Sequence, residues 1–118
     1  LEVKLFLTII LFTALLSSEY GKGKDLYFQN GCSGCHGIDA EGSGNNPKLA
    51  NKSQKYIIKK LMGFQNGNAN TQEGEVMFEF ARRLKSEDLK NIGYFLSNYK
   101  KEADFKYEID DDYLGGLD

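Results

Sequence analysis

Cys32, Cys35 and His36 constrain this chain more than any other feature. They stand in one five-residue string, Cys32-Ser33-Gly34-Cys35-His36, and no other cysteine or histidine exists in the chain. On a helix, residues three and four apart share a face. Such a string therefore presents two thiols and an imidazole together, and the fold must bring to that face something all three can hold. Two thiols one helical turn apart can add to the two vinyl groups on one edge of a porphyrin, and a histidine directly after the second can reach the iron. Cys-x-x-Cys-His is the attachment sequence of a c-type haem.

Other readings need residues the chain lacks. A structural zinc site takes four ligands, in most cases two cysteine pairs or a pair plus two histidines, and there is no second pair. A thioredoxin-like redox pair belongs in a βαβ pattern, and no strand-like alternation surrounds Cys32. A disulfide across so short a gap closes a strained loop with little entropic gain.

The ends of the chain differ from its middle. After Lys4, residues Leu5 to Leu16 are apolar except for Thr8 and Thr13, and Ser17 and Ser18 follow. A bilayer span needs about 20 apolar residues. The shorter run reads as a cleavable secretory signal over residues 1–18, cut between Ser18 and Glu19, the alternative being a retained amphipathic anchor. Export agrees with the haem reading, because in bacteria c-type haem is attached outside the cytoplasm. Formal net charge is −2 over 118 residues, but the distribution is uneven. Residues 19–101 hold 13 Lys/Arg against 9 Asp/Glu, whereas residues 102–118 hold 7 acids and only Lys106 as a base. The expected organisation is a signal (1–18), one small domain (19–101) and an acidic tail (102–118). A core this small needs a staple, and a covalently held haem is one.

Helical signals dominate the domain. Asp25 is placed to cap a short helix carrying Leu26, Tyr27 and Phe28, with Phe28 on the face of Cys32. Residues 37–48 form a Gly/Asn-rich loop holding the sole proline, Pro47. Ser53 caps a helix over 54–64, with Ile57, Leu61 and Phe64 in one stripe and Met62 beside Ile58 as a core methionine. A second helical stretch runs from Glu75 to Leu84. Ser86 caps a last helix whose apolar face is Leu89, Ile92, Phe95, Leu96 and Tyr99.

An electron-transferring haem iron takes two protein ligands. With His36 the only histidine, a sulfur ligand must come from Met62 or Met77. Met77 is preferred because it follows a Gly/Asn/Gln loop able to wrap round the haem. Met62 and an exchangeable sixth position remain alternatives.

From Cys32, Cys35 and His36 through Gly37, Gly42, Gly44, Pro47 and Leu49, then Tyr56, Leu61, Phe64 and Gly67, to Met77, Ala81, Leu84, Ser86, Asp88, Leu89 and Phe95, the chain resembles a class I c-type cytochrome of the small bacterial monohaem kind. The resemblance covers about residues 24–101. It implies an all-α cytochrome c fold, about four short helices and loops wrapped round one haem c bound through Cys32 and Cys35. It implies His36 and Met77 as the iron ligands on the two sides of the haem, and a Pro47 carbonyl that accepts a hydrogen bond from the His36 ring. The first and last helices should cross, with Gly93 allowing close approach near Phe28. A basic residue common after the Gly67-like glycine is absent, Asn68 and Ala69 standing there.

The expected function is electron carriage in the periplasm by a monomer rather than catalysis. Partners would be a quinol-oxidising complex, a terminal oxidase or a peroxidase. Neither nucleic acid nor stable membrane insertion after signal cleavage is expected. Lys48, Lys52, Lys55, Lys59 and Lys60 offer a patch that steers an acidic partner. The alternatives are a haem-based small-ligand sensor and an accessory haem subunit of a larger oxidoreductase.

Overall fold

The fold is known from a computed structural model that describes residues 2–7 and 18–101. Residue 1 and residues 8–17 of the expected signal, and the whole of the acidic stretch 102–118, lie outside the described residues. Residues 2–7 are helical. The domain consists of α1 (Glu19–Gln29), α2 (Cys32–His36), α3 (Gln54–Gln65), α4 (Gln72–Ala81) and α5 (Ser86–Ser97). Among the described residues there is no strand, only an isolated antiparallel bridge between Ser43 and Asn46. The all-α expectation holds, with four longer helices and the one-turn α2.

Helix α1 starts earlier than Asp25. Ser18 is its N-cap, accepting a 3.0 Å hydrogen bond from the Gly21 N–H. Gly21 and Gly23 look like lead-in because glycine costs roughly 1 kcal/mol in a helix relative to alanine. Packing on α5 overrides that preference. A Cβ added at Gly23 would lie 1.9 Å from the Asn91 carbonyl oxygen and 2.7 Å from the Phe95 Cβ. The glycine of the helix crossing is therefore Gly23. Gly93, expected to play that part, faces Gln54 and Ile58 of α3 instead. Phe28 is also displaced from its expected role. It is 38% exposed, and the neighbouring Tyr27 is fully buried.

The core unites α1, α3 and α5 through Tyr27, Ile57, Ile92, Phe95 and Leu96, with Ala40 and Ala50 from the long loop. Phe95 is its hub, with Tyr20, Tyr27 and Tyr99 rings packed on it at centroid distances of 5.1, 5.6 and 5.8 Å. Helix α3 begins as the sequence indicates, Ser53 Oγ accepting from the Tyr56 N–H. Helix α4 begins at Gln72 rather than Glu75, because Thr71 Oγ1 accepts from the Gly74 N–H and Glu73 and Glu75 occupy the electropositive first turn. In α5 the cap is Lys85, not Ser86. The Asp88 carboxylate accepts from the Lys85 N–H at 2.8 Å.

Candidate haem site

Gly31 joins α1 to α2 at φ 77°, a left-handed conformation that glycine adopts without a Cβ penalty. The turn sets Cys32, Cys35 and His36 on one short helix. Both thiols are free, Cys32 half-buried and Cys35 exposed. Burial pushes the Cys32 thiol up from its ordinary range. His36 is buried, and its Nδ1 lies 2.9 Å from the Pro47 carbonyl oxygen. A carbonyl only accepts, so in the neutral ring the proton sits on Nδ1 and Nε2 keeps the lone pair a metal requires.

These residues line one cavity of about 400 Å³, within the usual range of roughly 300–1,000 Å³ for a small-molecule site. Cys32, Cys35, His36 and Pro47 form part of its wall, and α4 contributes Met77 together with Val76 and Phe80. Ile57, Leu61 and Phe64 of α3 and Ile92 and Leu96 of α5 complete an apolar enclosure. Met77 reaches the cavity from within α4, in the helical stretch where the sequence places it. Met62 is 48% exposed and does not line the cavity, contrary to its expected core position. The residues fit a haem. Two unpaired thiols, a metal-competent imidazole and a thioether converge on one mostly apolar space.

Two features of the site were not legible in the sequence. Tyr27 lines the cavity and donates a 2.7 Å hydrogen bond to the Gly37 carbonyl, one residue beyond His36. Burial, then the charges of Cys32 and Glu41, raise its hydroxyl well above the usual phenol range. The cavity also has a polar margin in which Asn45, Asn46 and Thr71 stand beside Lys60 and Glu73. Lys60 supplies a cation there that Asn68 and Ala69 do not. Only alternation along α3, with Tyr56, Ile57, Lys60, Leu61 and Phe64 on the cavity side, would have signalled it.

Fold and site together define a helical domain that encloses one thioether-linked haem. The comparisons carry this to a family. The cytochrome c profile matches residues 20–100. The chain is 31% identical over 92 residues to cytochrome c-554(547) of Halothiobacillus neapolitanus, covering 71% of this chain and 100% of that protein. It is 34% identical over 67 residues to cytochrome c-552 of Acidithiobacillus ferridurans, covering 57% of this chain and 28% of that one. The cytochrome subunit of sulfide dehydrogenase of Chlorobaculum tepidum is 32% identical over 71 residues, 60% of this chain and 62% of the subunit. The solved cytochrome c4 of Acidithiobacillus ferrooxidans superposes with a TM-score of 0.60 at 28% identity, over 68% of this chain and 49% of that one. This chain thus spans less than a third of the ferridurans relative and about half of the solved one. It belongs to the cytochrome c family. Its cofactor is one haem c, bound covalently through Cys32 and Cys35.

Proposed function

We propose that the chain is a monohaem electron carrier of the bacterial periplasm, passing single electrons between respiratory redox proteins through a haem iron ligated by His36 and Met77. The observation that carries the reading is the shared cavity. His36 and Met77 line it, whereas Met62 stands in solvent. When bound, the haem supplies a one-electron ferrous–ferric couple, whose potential methionine and histidine ligation raises. The chain does the rest. Pro47 holds the His36 ring in one tautomer. The thioether of Met77 is a soft donor suited to the reduced metal. The apolar wall keeps water from the site and so disfavours the extra charge of the oxidised state.

The surface supports brief docking to an acidic partner. From residue 42 to residue 72 the chain carries five lysines and no acid. All five are exposed and make no ion pair with any described residue. Lys52 and Lys60 flank the exposed ring of Tyr56 at 5.9 and 5.8 Å, and Tyr56 and Lys60 line the cavity. Positive charge thus reaches the rim at Lys60, where it raises association rate more than affinity. No helix among the described residues is long and apolar enough to cross a membrane.

Absorbance spectroscopy of the purified protein tests the reading. A pyridine haemochrome should give one haem per chain. The ferric form should show the weak red-end band of Met–Fe ligation, the ferrous form should resist carbon monoxide, and one-electron titration should be reversible. Ready carbon monoxide binding without the red-end band would make the chain a ligand sensor instead. The likeness to a sulfide dehydrogenase subunit favours one second reading, an accessory haem subunit. Co-purification in a stable stoichiometric complex distinguishes it from a free carrier.

A further inference from the structure

The turn that follows His36 is held in a conformation it would not choose. Ala40 lies at φ 51° and is completely buried. The left-handed region brings an alanine Cβ too close to the following carbonyl oxygen, so the surrounding structure must over-determine it. Two tyrosine hydroxyls do so from opposite ends of the chain. Tyr27 of α1 donates to the Gly37 carbonyl. Tyr99, just beyond α5, donates to Asp39 Oδ1 across 60 residues of sequence. The Ala40 carbonyl accepts in turn from the Leu49 and Ala50 N–H groups at 2.9 and 3.0 Å, which anchors the segment carrying Pro47. The Pro47 carbonyl then accepts a hydrogen bond from the His36 Nδ1–H.

We infer that Tyr99 and Asp39 are positioning residues for His36, their hydrogen bond holding the 37–41 turn so that the Pro47 carbonyl stays aligned with the imidazole. The inference rests on His36 being the iron ligand. Contact is continuous from Tyr99 through Asp39 and Ala40 to Leu49 and Pro47, and Tyr99 packs on Phe95 of the core. The last residues of the domain thereby govern the basicity of a ligand set far earlier in the chain. A hydrogen bond from Nδ1 raises the donor strength of a ligating imidazole. Loosening it favours the reduced iron and raises the potential.

The test uses holoprotein carrying Tyr99→Phe, Asp39→Ala or both. Tyr99→Phe is decisive because it removes the bond without changing charge. It should raise the potential, shifting the oxidation equilibrium toward the reduced form. It should also speed exchange of the His36 Nδ1 proton in ferrous-state NMR. The double variant should shift exchange no further than Tyr99→Phe alone, since both remove one bond. Gln54→Ala is the control. It loses the bond to the Lys90 carbonyl, away from the turn, and should lower stability while leaving the potential in place. A Tyr99→Phe protein that melts earlier with an unmoved potential and unmoved Nδ1 exchange overturns the inference, reducing the pair to a structural tie. Absence of His36 ligation signals in the unsubstituted protein would instead overturn the functional reading beneath it.

Discussion

At the scale of single residues, burial separates side chains that the sequence presents as alike. Two methionines are available, and only Met77 lines the cavity. Met77→Ala should leave the haem attached, abolish the red-end ferric band and lower the potential. Met62→Ala, at a half-exposed position, should keep the band and change stability by no more than about 0.5 kcal/mol. The reverse pattern would exchange their roles. Tyr27 makes a second prediction, through pH. Its folded-state hydroxyl is raised above the ordinary 10.0, so above that pH the unfolded chain releases a proton the folded chain retains. Stability is then unaffected below about pH 10 and falls as pH rises beyond it. Tyr27→Phe should cost about 0.5–1.5 kcal/mol at neutral pH and flatten that alkaline decline. Urea titrations of both proteins between pH 8 and 11 measure the difference. Equal slopes would mean that Tyr99, whose hydroxyl is raised in the same direction, sets it rather than Tyr27.

At the scale of helices, two glycines make a matched pair. Gly23 lies against the α5 backbone, and Gly63 of α3 has open space where its Cβ would be. Gly23→Ala must push α1 from α5, costing about 1–3 kcal/mol or more. Gly63→Ala should instead stabilise the domain by roughly 0.5–1 kcal/mol. Thermal melts of the two holoproteins should move in opposite directions. The α3 stripe and its Ser53 cap were legible because cap and period lie within one segment. The start of α1 was not, since a glycine-rich first turn has weak propensity and persists through contacts with Asn91 and Phe95, far along the chain. The same applies to the crossing itself. Two glycines, Gly23 and Gly93, were eligible, and only the packed arrangement distinguishes them.

At the scale of the whole molecule, charge is segregated. Five exposed lysines lie on α3 and the segment just before it, Lys60 among them at the cavity rim, and residues 102–118, outside the described residues, carry seven acids and one base. Removing that tail should leave the haem spectrum and the melting temperature unchanged. It should speed association with an acidic redox partner at low ionic strength, with the gain fading as the screening length falls to about 8 Å at physiological salt. Stopped-flow rates over a salt series measure this. Identical rates at low salt would show that the tail does not shield the lysines.

The cofactor chemistry was determined by five consecutive residues. Covalent spacing alone decides that two thiols and an imidazole fall together, whatever surrounds them. The helical class and the Ser53 cap were likewise local, the cap set by a side chain within a turn of the backbone group it satisfies. Only the tertiary structure decided which sulfur lines the cavity with His36, which glycine admits the helix crossing, and that Tyr27 rather than Phe28 is buried. It alone joined Tyr99 to Asp39. Each of these depends on which distant segment approaches, and approach is governed by the burial of apolar surface from the whole chain, a quantity that no short window of sequence contains.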